Sequence, residues 1–269
     1  MTTETSPGST DAPDTEDPPA TVSTTSATED TMGETTTSSG SSSSEDSSSG
    51  ASEAESSSSS GGASFELCDE SDPELRACYD FDGVGGGVLT DLSMFENHGE
   101  AEAVGVEPGP FGDAARPGVD ASLSVPDSSS LDVEGPAAFE AWVFFDSLPE
   151  LGRAGVLDNE GQYSMIYFSG QGMRCLGAGA SAFAAVPQGE WVHIACNFSG
   201  GEMSIWVNGE LEDSSMGMAA ILTGNTQPLS IGDTSPGFNE PMDGLVGGVR
   251  VWSVARTPEQ LADAAAALE

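Results

Sequence analysis

The sequence predicts an all-β fold: an antiparallel β-sandwich or jelly roll with a short C-terminal helix, preceded by a disordered tail. Three observations lead there. Residues 191–211 read WVHIACNFSGGEMSIWVNGEL, where Val192, Ile194, Cys196 and Phe198 alternate with His193, Ala195 and Asn197. That is the period of a half-buried strand. Gly200-Gly201 and Asn208-Gly209 supply the positive φ that tight hairpin turns need, so successive strands run antiparallel. Short apolar runs then recur along the chain between Gly, Pro, Asn and Asp turn residues, the spacing of a sandwich.

In chain order, residues 1–64 contain no Leu, Ile, Phe, Trp, Tyr or Cys, and Ser, Thr, Pro, Gly and acids dominate. Such a segment cannot bury enough apolar surface to offset the ordering of its backbone, which predicts a disordered stalk. The domain is expected at 65–269, long enough for one sandwich with its own core. A lead-in at 65–80 precedes strands expected at 78–81, 121–125, 139–145, 163–169 and 173–177. The hairpin follows, then strands at 229–231 and 245–254. Thr257 suits an N-cap, Pro258 the first helical position, and Gln260 sits three after the cap. Leu261, Ala264, Ala265 and Leu268 share one face of that helix.

Charge narrows the partners. The chain has 45 acids against six Lys plus Arg, all six of them Arg. Twelve acids precede Phe65 and 33 follow, leaving the domain at −27. A field of that sign opposes nucleic acid and anionic lipid. No stretch is long enough for a membrane span.

The four cysteines are Cys68, Cys78, Cys175 and Cys196, and the only histidines are His98 and His193. No C-x-x-C exists, which argues against a zinc site. An even count suits an oxidising compartment. Of three possible pairings, Cys68–Cys78 and Cys175–Cys196 are expected, the second because its strands are expected to be neighbours. The address is read as extracellular or cell-surface anchored. No leader follows Met1, so one is expected upstream or already removed.

The strand pair at 191–211 resembles the "W-x-H-V-A…Y-V-N-G" of the LamG-like jelly-roll family, in the concanavalin A-like lectin/glucanase superfamily. Trp191, His193, Ala195, Trp206, Val207, Asn208 and Gly209 carry the match. Further stretches follow in family order: DLSMFENHG at 91–99, SVPDSSSL at 124–131, Ala141-Trp142-Val143, PLSIG at 228–232, and DGLVGGVRVW at 243–252. The resemblance spans 78–268. It implies a jelly roll that binds carbohydrate or protein. The stalk is similar to those of bacterial surface lipoproteins.

Catalysis finds little support in the sequence. Retaining glycosidases need two carboxyls about 5–5.5 Å apart. The nearest text, Glu70-Ser71-Asp72-Pro73-Glu74, precedes the first strand, and no G-x-S-x-G elbow exists. His193 is read as structural. Calcium is the cofactor considered, because loops rich in Asp and Asn offer hard oxygen ligands. Asp91 and Asn97 are its expected ligands, with Asp80, Asp82 and Asp243 nearby. Two departures weigh against it: Met94-Phe95 inside the loop, and Gly247-Gly248 where the family has two acids. Trp142, Trp206 and Trp252 fall on the strand faces opposite the core, and packing beneath loops or a third layer is preferred to stacking on sugar. Asn197-Phe198-Ser199 is a formal glycosylation sequon set inside a strand. The expected role is a non-catalytic binding or adhesion module. The alternatives are a hydrolase with an unrecognised site and a structural envelope protein.

Overall fold

The computed structural model describes residues 65–234 and 239–268. The stalk expected at 1–64 lies outside them. Sixteen strands form two sheets. They are β1 (Leu75–Tyr79), β2 (Val88–Leu89), β3 (Gly99–Glu102), β4 (Gly105–Gly109), β5 (Gly112–Arg116), β6 (Ser122–Val125), β7 (Ala137–Ser147) and β8 (Arg153–Asn159). The chain continues through β9 (Tyr163–Phe168), β10 (Gly172–Gly177), β11 (Ala180–Ala184), β12 (Trp191–Ser199), β13 (Glu202–Val207), β14 (Glu210–Met216), β15 (Leu229–Ile231) and β16 (Asp243–Trp252). Helix α1 (Pro258–Ala265) closes the domain.

The first sheet runs β14-β13-β12-β7-β16-β5-β4, with β1 also on β16; the second runs β11-β10-β9-β8-β15-β6-β3-β2. The strand pairs within both sheets are antiparallel. Alternation on β12 is as the sequence predicts. Val192, Ile194, Cys196 and Phe198 join the core between the sheets, with Phe139, Val143, Tyr163, Met165 and Leu229. Phe139 of the first sheet stacks on Tyr163 of the second at 4.1 Å between centroids. Asn208 and Gly209 take φ of 49° and 79°, the pair of positive values that a tight hairpin turn demands.

The structure corrects several boundaries. The first strand begins at Leu75 rather than Cys78 and ends before Phe81, whose φ of 64° cannot continue a strand. Seven strands carried no clear apolar run: β2 to β5, β8, β11 and β14. Of these, β4 is an exposed edge strand containing Pro108, a residue that edges tolerate because no ladder donor is needed there.

Both disulfides are present, Cys68–Cys78 and Cys175–Cys196, with Cα separations of 5.7 and 5.4 Å. The reason given for the second pairing needs correction. β10 and β12 are not neighbours in one sheet; Cys175 and Cys196 bridge the two sheets through the core. No helix among the described residues is long and apolar enough to cross a membrane.

Candidate functional site on the open sheet face

The two sheets bury their inner faces against each other, so function must come from outer faces, loops or edges. The middle of the first sheet's outer face is covered. Trp142, Trp252 and Ala138 pack there under Leu67, Cys68 and Leu75 of the entering chain and Ala264 of α1. The helix is fastened by a reciprocal Thr257/Gln260 cap and by Trp142 Nε1, which donates to the Ala264 carbonyl at 3.2 Å.

Beneath that cover lies a charged network. Glu140, fully buried on β7, accepts from Arg250 Nη2 at 2.8 Å and Trp252 Nε1 at 2.7 Å. His193 Nε2 lies 3.0 Å from the same carboxylate. A proton on Nε2 serves Glu140 and leaves Nδ1 as a lone pair without a partner; the buried Arg250 Nε also lacks one. Burial pushes the Glu140 carboxyl up, but the Arg250 charge and the hydrogen bonds from His193 and Arg250 outweigh it and hold it at about 2. The Arg250 guanidinium is boxed by Trp142 and Trp252 at 4.7 and 5.3 Å. This resembles an acid–base pair in composition only. Glu140 and His193 have no exposed surface, so a substrate has no route to them.

The expected calcium ligands sit in the loop between β2 and β3. Asp91 Oδ1 accepts from the backbone N–H of Cys78 and Ser93, at 2.8 and 2.9 Å. Its Oδ2 accepts from Ser93 Oγ and the Asn97 N–H, both at 2.7 Å. Asn97 Nδ2 donates to the Arg76 carbonyl, and its Oδ1 accepts from Ser130 Oγ at 2.9 Å. These oxygens are turned toward N–H and O–H donors, and a cation would have to displace them. The pair does not fit calcium; it fits a staple that ties the loop to β1. Among the described residues no group of three or more His, Cys, Asp or Glu is arranged to hold a metal ion.

The outer face of the second sheet is different. Register places Glu100, Ser124, Ser230, Asp158, Ser164, Leu176 and Ser181 side by side, one per strand from β3 to β11. Neighbours in such a row are about 4.7–4.9 Å apart in the pairing direction. The row lies lowest in its middle, where Ser230, Asp158 and Ser164 are buried, and rises to exposed Glu100 at one end. Ser164 Oγ donates to Asp158 at 2.6 Å. The hydroxyls of Ser122, Ser124 and Ser230 have no hydrogen-bond partner among the described residues, so their donor and acceptor capacity is unspent.

Two depressions flank the row. One of 430 Å³ is lined by Ser122, Ser124, Ser230, Asp233, Thr234 and Asn239. Burial raises the Asp233 carboxyl, partly offset by the backbone N–H groups of Thr234 and Glu240 that it accepts at 2.7 and 2.6 Å. Gly155 on β8 makes room for this corner: a Cβ there would stand 2.2 Å from the Asp233 carbonyl carbon. The other depression, 280 Å³, is lined by Gln162, Tyr163, Ser164, Leu176 and the turn at 177–180.

Comparison with known proteins places the fold. A family profile, the Laminin_G_3 profile of the concanavalin A-like lectin/glucanases superfamily, matches residues 117–262. The chain belongs to that superfamily. No curated protein sequence matches it. Among solved structures, domain 4 of AbnA, an extracellular arabinanase of Geobacillus stearothermophilus solved with arabinotriose, is 20% identical at a TM-score of 0.55. That match covers 71% of this chain and 98% of the domain. The binding domain of Paraclostridial Mosquitocidal Protein 1 is 14% identical at 0.54, covering 71% of this chain and 52% of that one. Trypanosoma rangeli sialidase with sialic acid is 15% identical at 0.57, covering 75% of this chain and 34% of the sialidase. At these identities the likeness is one of fold.

Within the superfamily frame, the sequence-predicted residues scatter. Glu70, Asp72 and Glu74 lie in turns before β1, and Asp69 and Asp72 there cap the backbone N–H of Ser71 and Glu74. Trp142 and Trp252 are buried under the lead-in and α1, the third layer the sequence reading preferred, whereas Trp206 is only half-buried. Asn197 is spent on the Arg256 backbone. The serine row was missed. Ser124 and Ser230 stand at alternate positions opposite Leu123, Val125, Leu229 and Ile231, but seven separate strands must be aligned before the row exists.

Proposed function

We propose that this superfamily member is a non-catalytic extracellular carbohydrate-binding module whose ligand lies across the outer face of the second sheet. The observation that carries the reading is the open polar row with its unspent serine hydroxyls and flanking depressions. Hydroxyl groups that both donate and accept suit the hydroxyls of a sugar, and the shallow trough suits a chain rather than a small enclosed molecule. The domain solved with arabinotriose supports the assignment by its shared fold. Asp158 and Asp233 already accept hydrogen bonds within the domain, which favours binding over turnover. The two disulfides fit an oxidising, extracellular setting. Single-site affinity is expected to be weak, as befits a module used in many copies. The excess of acids disfavours densely sulfated or phosphorylated polymers.

The test is titration of neutral and sulfated polysaccharides by calorimetry, with product analysis after long incubation. Binding should favour neutral polymers and be lost in Ser230→Trp, which fills the trough. Release of shortened oligosaccharides by the pure domain would overturn the non-catalytic half. Binding that Ser230→Trp leaves intact would move the site elsewhere.

A further inference from the structure

The six arginines divide by the kind of partner they have. Arg116, Arg153 and Arg250 pair with carboxylates. Arg76 covers Phe95, and Arg256 lies over Trp252 at 3.9 Å on the covered face. Arg174 also rests on rings, but on the open face. It stands on β10 on the open face, one position along from the polar row, opposite Ile166 and Phe183 in register. Its guanidinium is held between the rings of Phe168 and Phe183, at 4.6 and 4.5 Å. Nε and Nη2 both donate to Ser181 Oγ, at 3.0 and 2.6 Å. Nη1 has no partner among the described residues, and no carboxylate pairs with Arg174 there. Arg76 and Arg256 likewise lack a carboxylate among the described residues; what sets Arg174 apart is its place on the open face, clamped between two rings. Burial lowers the Arg174 pKa from its ordinary value, as expected for a charge without a counter-ion.

We propose that Arg174 is a carboxylate subsite of the ligand face, taking a single acidic sugar within an otherwise neutral glycan. The inference rests on the carbohydrate reading above. Two aromatic faces fix the guanidinium plane and strip part of its water, so a ligand carboxylate meets a donor that is already oriented. The Nη1 edge supplies the donors, and Ser181 and Leu176 continue the surface into the row. The acidic field does not contradict this. A dense polyanion is repelled at every charge, whereas a lone carboxylate meets that repulsion once and gains a short charge-assisted contact.

The experiment uses the purified chain and a panel of oligosaccharides on several neutral backbones. Each carries one uronic acid and is paired with a twin whose carboxyl has been reduced to the alcohol. For at least one pair, the acid should bind about tenfold tighter than its twin, the scale of one charge-assisted contact. Arg174→Gln should bring the acid's affinity down to that of its twin, and Arg174→Lys should keep part of the advantage. Thermal melts of both variants check that they fold. If acids and twins bind alike, the subsite is overturned and the carbohydrate reading stands. If the preference survives Arg174→Gln, the carboxylate is read elsewhere and the subsite is overturned. If neither member of any pair binds, both readings fall.

Discussion

The outer face of the first sheet carries Glu140, His193, Arg250, Trp142 and Trp252, and these side chains are buried under the entering chain and α1. The outer face of the second carries serines, Asp158, Glu100, Leu176 and an aromatic-clamped arginine, and its ends stay open. Both faces are polar by sequence. What separates Glu140 on the one from the serines on the other is whether the hydrogen-bonding capacity is spent. Glu140 is saturated by three donors, so the cover over it costs little; an unpaired charge there would be expensive. The serine hydroxyls at 122, 124 and 230 are unsaturated, and such groups favour water or a ligand over a permanent lid. A chemically rich cluster is therefore structural here, and the plainer face is the candidate site.

The contrast can be broken most severely at Glu140. Replacing it with Ala leaves Arg250 buried without its counter-charge, and stability measured by denaturant melts should fall by about 3–5 kcal/mol. A loss under about 1 kcal/mol would mean that the covered face is open to water in solution.

Acid should act on the same network. The Glu140 carboxyl is held at about 2 against an ordinary 4.5. A depressed folded-state pKa gives stability that is present above the unfolded value and lost as pH falls toward the folded one. From about pH 5 down to 2, this group alone should cost about 3 kcal/mol, and Glu140→Gln should flatten that limb of the stability curve. An unchanged slope in the variant would assign the acid sensitivity to other carboxylates.

The Asp91 staple should give a smaller loss. Asp91→Ala removes an acceptor of four hydrogen bonds, and the melting temperature should drop as for a loss of about 2–3 kcal/mol. That drop should be the same with calcium and with chelator. A calcium-dependent rise in the wild type, abolished by the variant, would reinstate the metal.

The smallest stability effect is expected on the open face. Ser124→Ala and Ser230→Ala should each change stability by no more than about 0.5 kcal/mol, since neither hydroxyl has a protein partner among the described residues. Polysaccharide binding by the double variant should nonetheless weaken severalfold. If stability drops while binding holds, the open face is structural too and the comparison collapses.

Much of the architecture was legible in the chain. Two-residue alternation at 191–211 determined which side chains of β12 enter the core, and Asn208-Gly209 determined the turn that follows. The helix start was equally local, because Thr257, Pro258 and Gln260 cap and initiate it without help from elsewhere. Edge strands such as β4 were not legible, since an exposed strand needs no apolar pattern. Pairing was only half legible. Cys175 and Cys196 were matched by their places in the chain, but their contact crosses the sandwich rather than a sheet.

By itself, then, the sequence determined the class of fold, the periodic burial of its strands and the acidic field, because those depend on neighbours a few residues apart or on composition. Only the tertiary structure decided the fates of the polar groups. His193 and Glu140 are 53 residues apart and meet only when β7 and β12 pair. Ser124, Ser230 and Asp158 become one surface only when β6, β15 and β8 align. Hydrogen-bond capacity is spent or left free by partners that come from anywhere in the chain, and no local pattern records which.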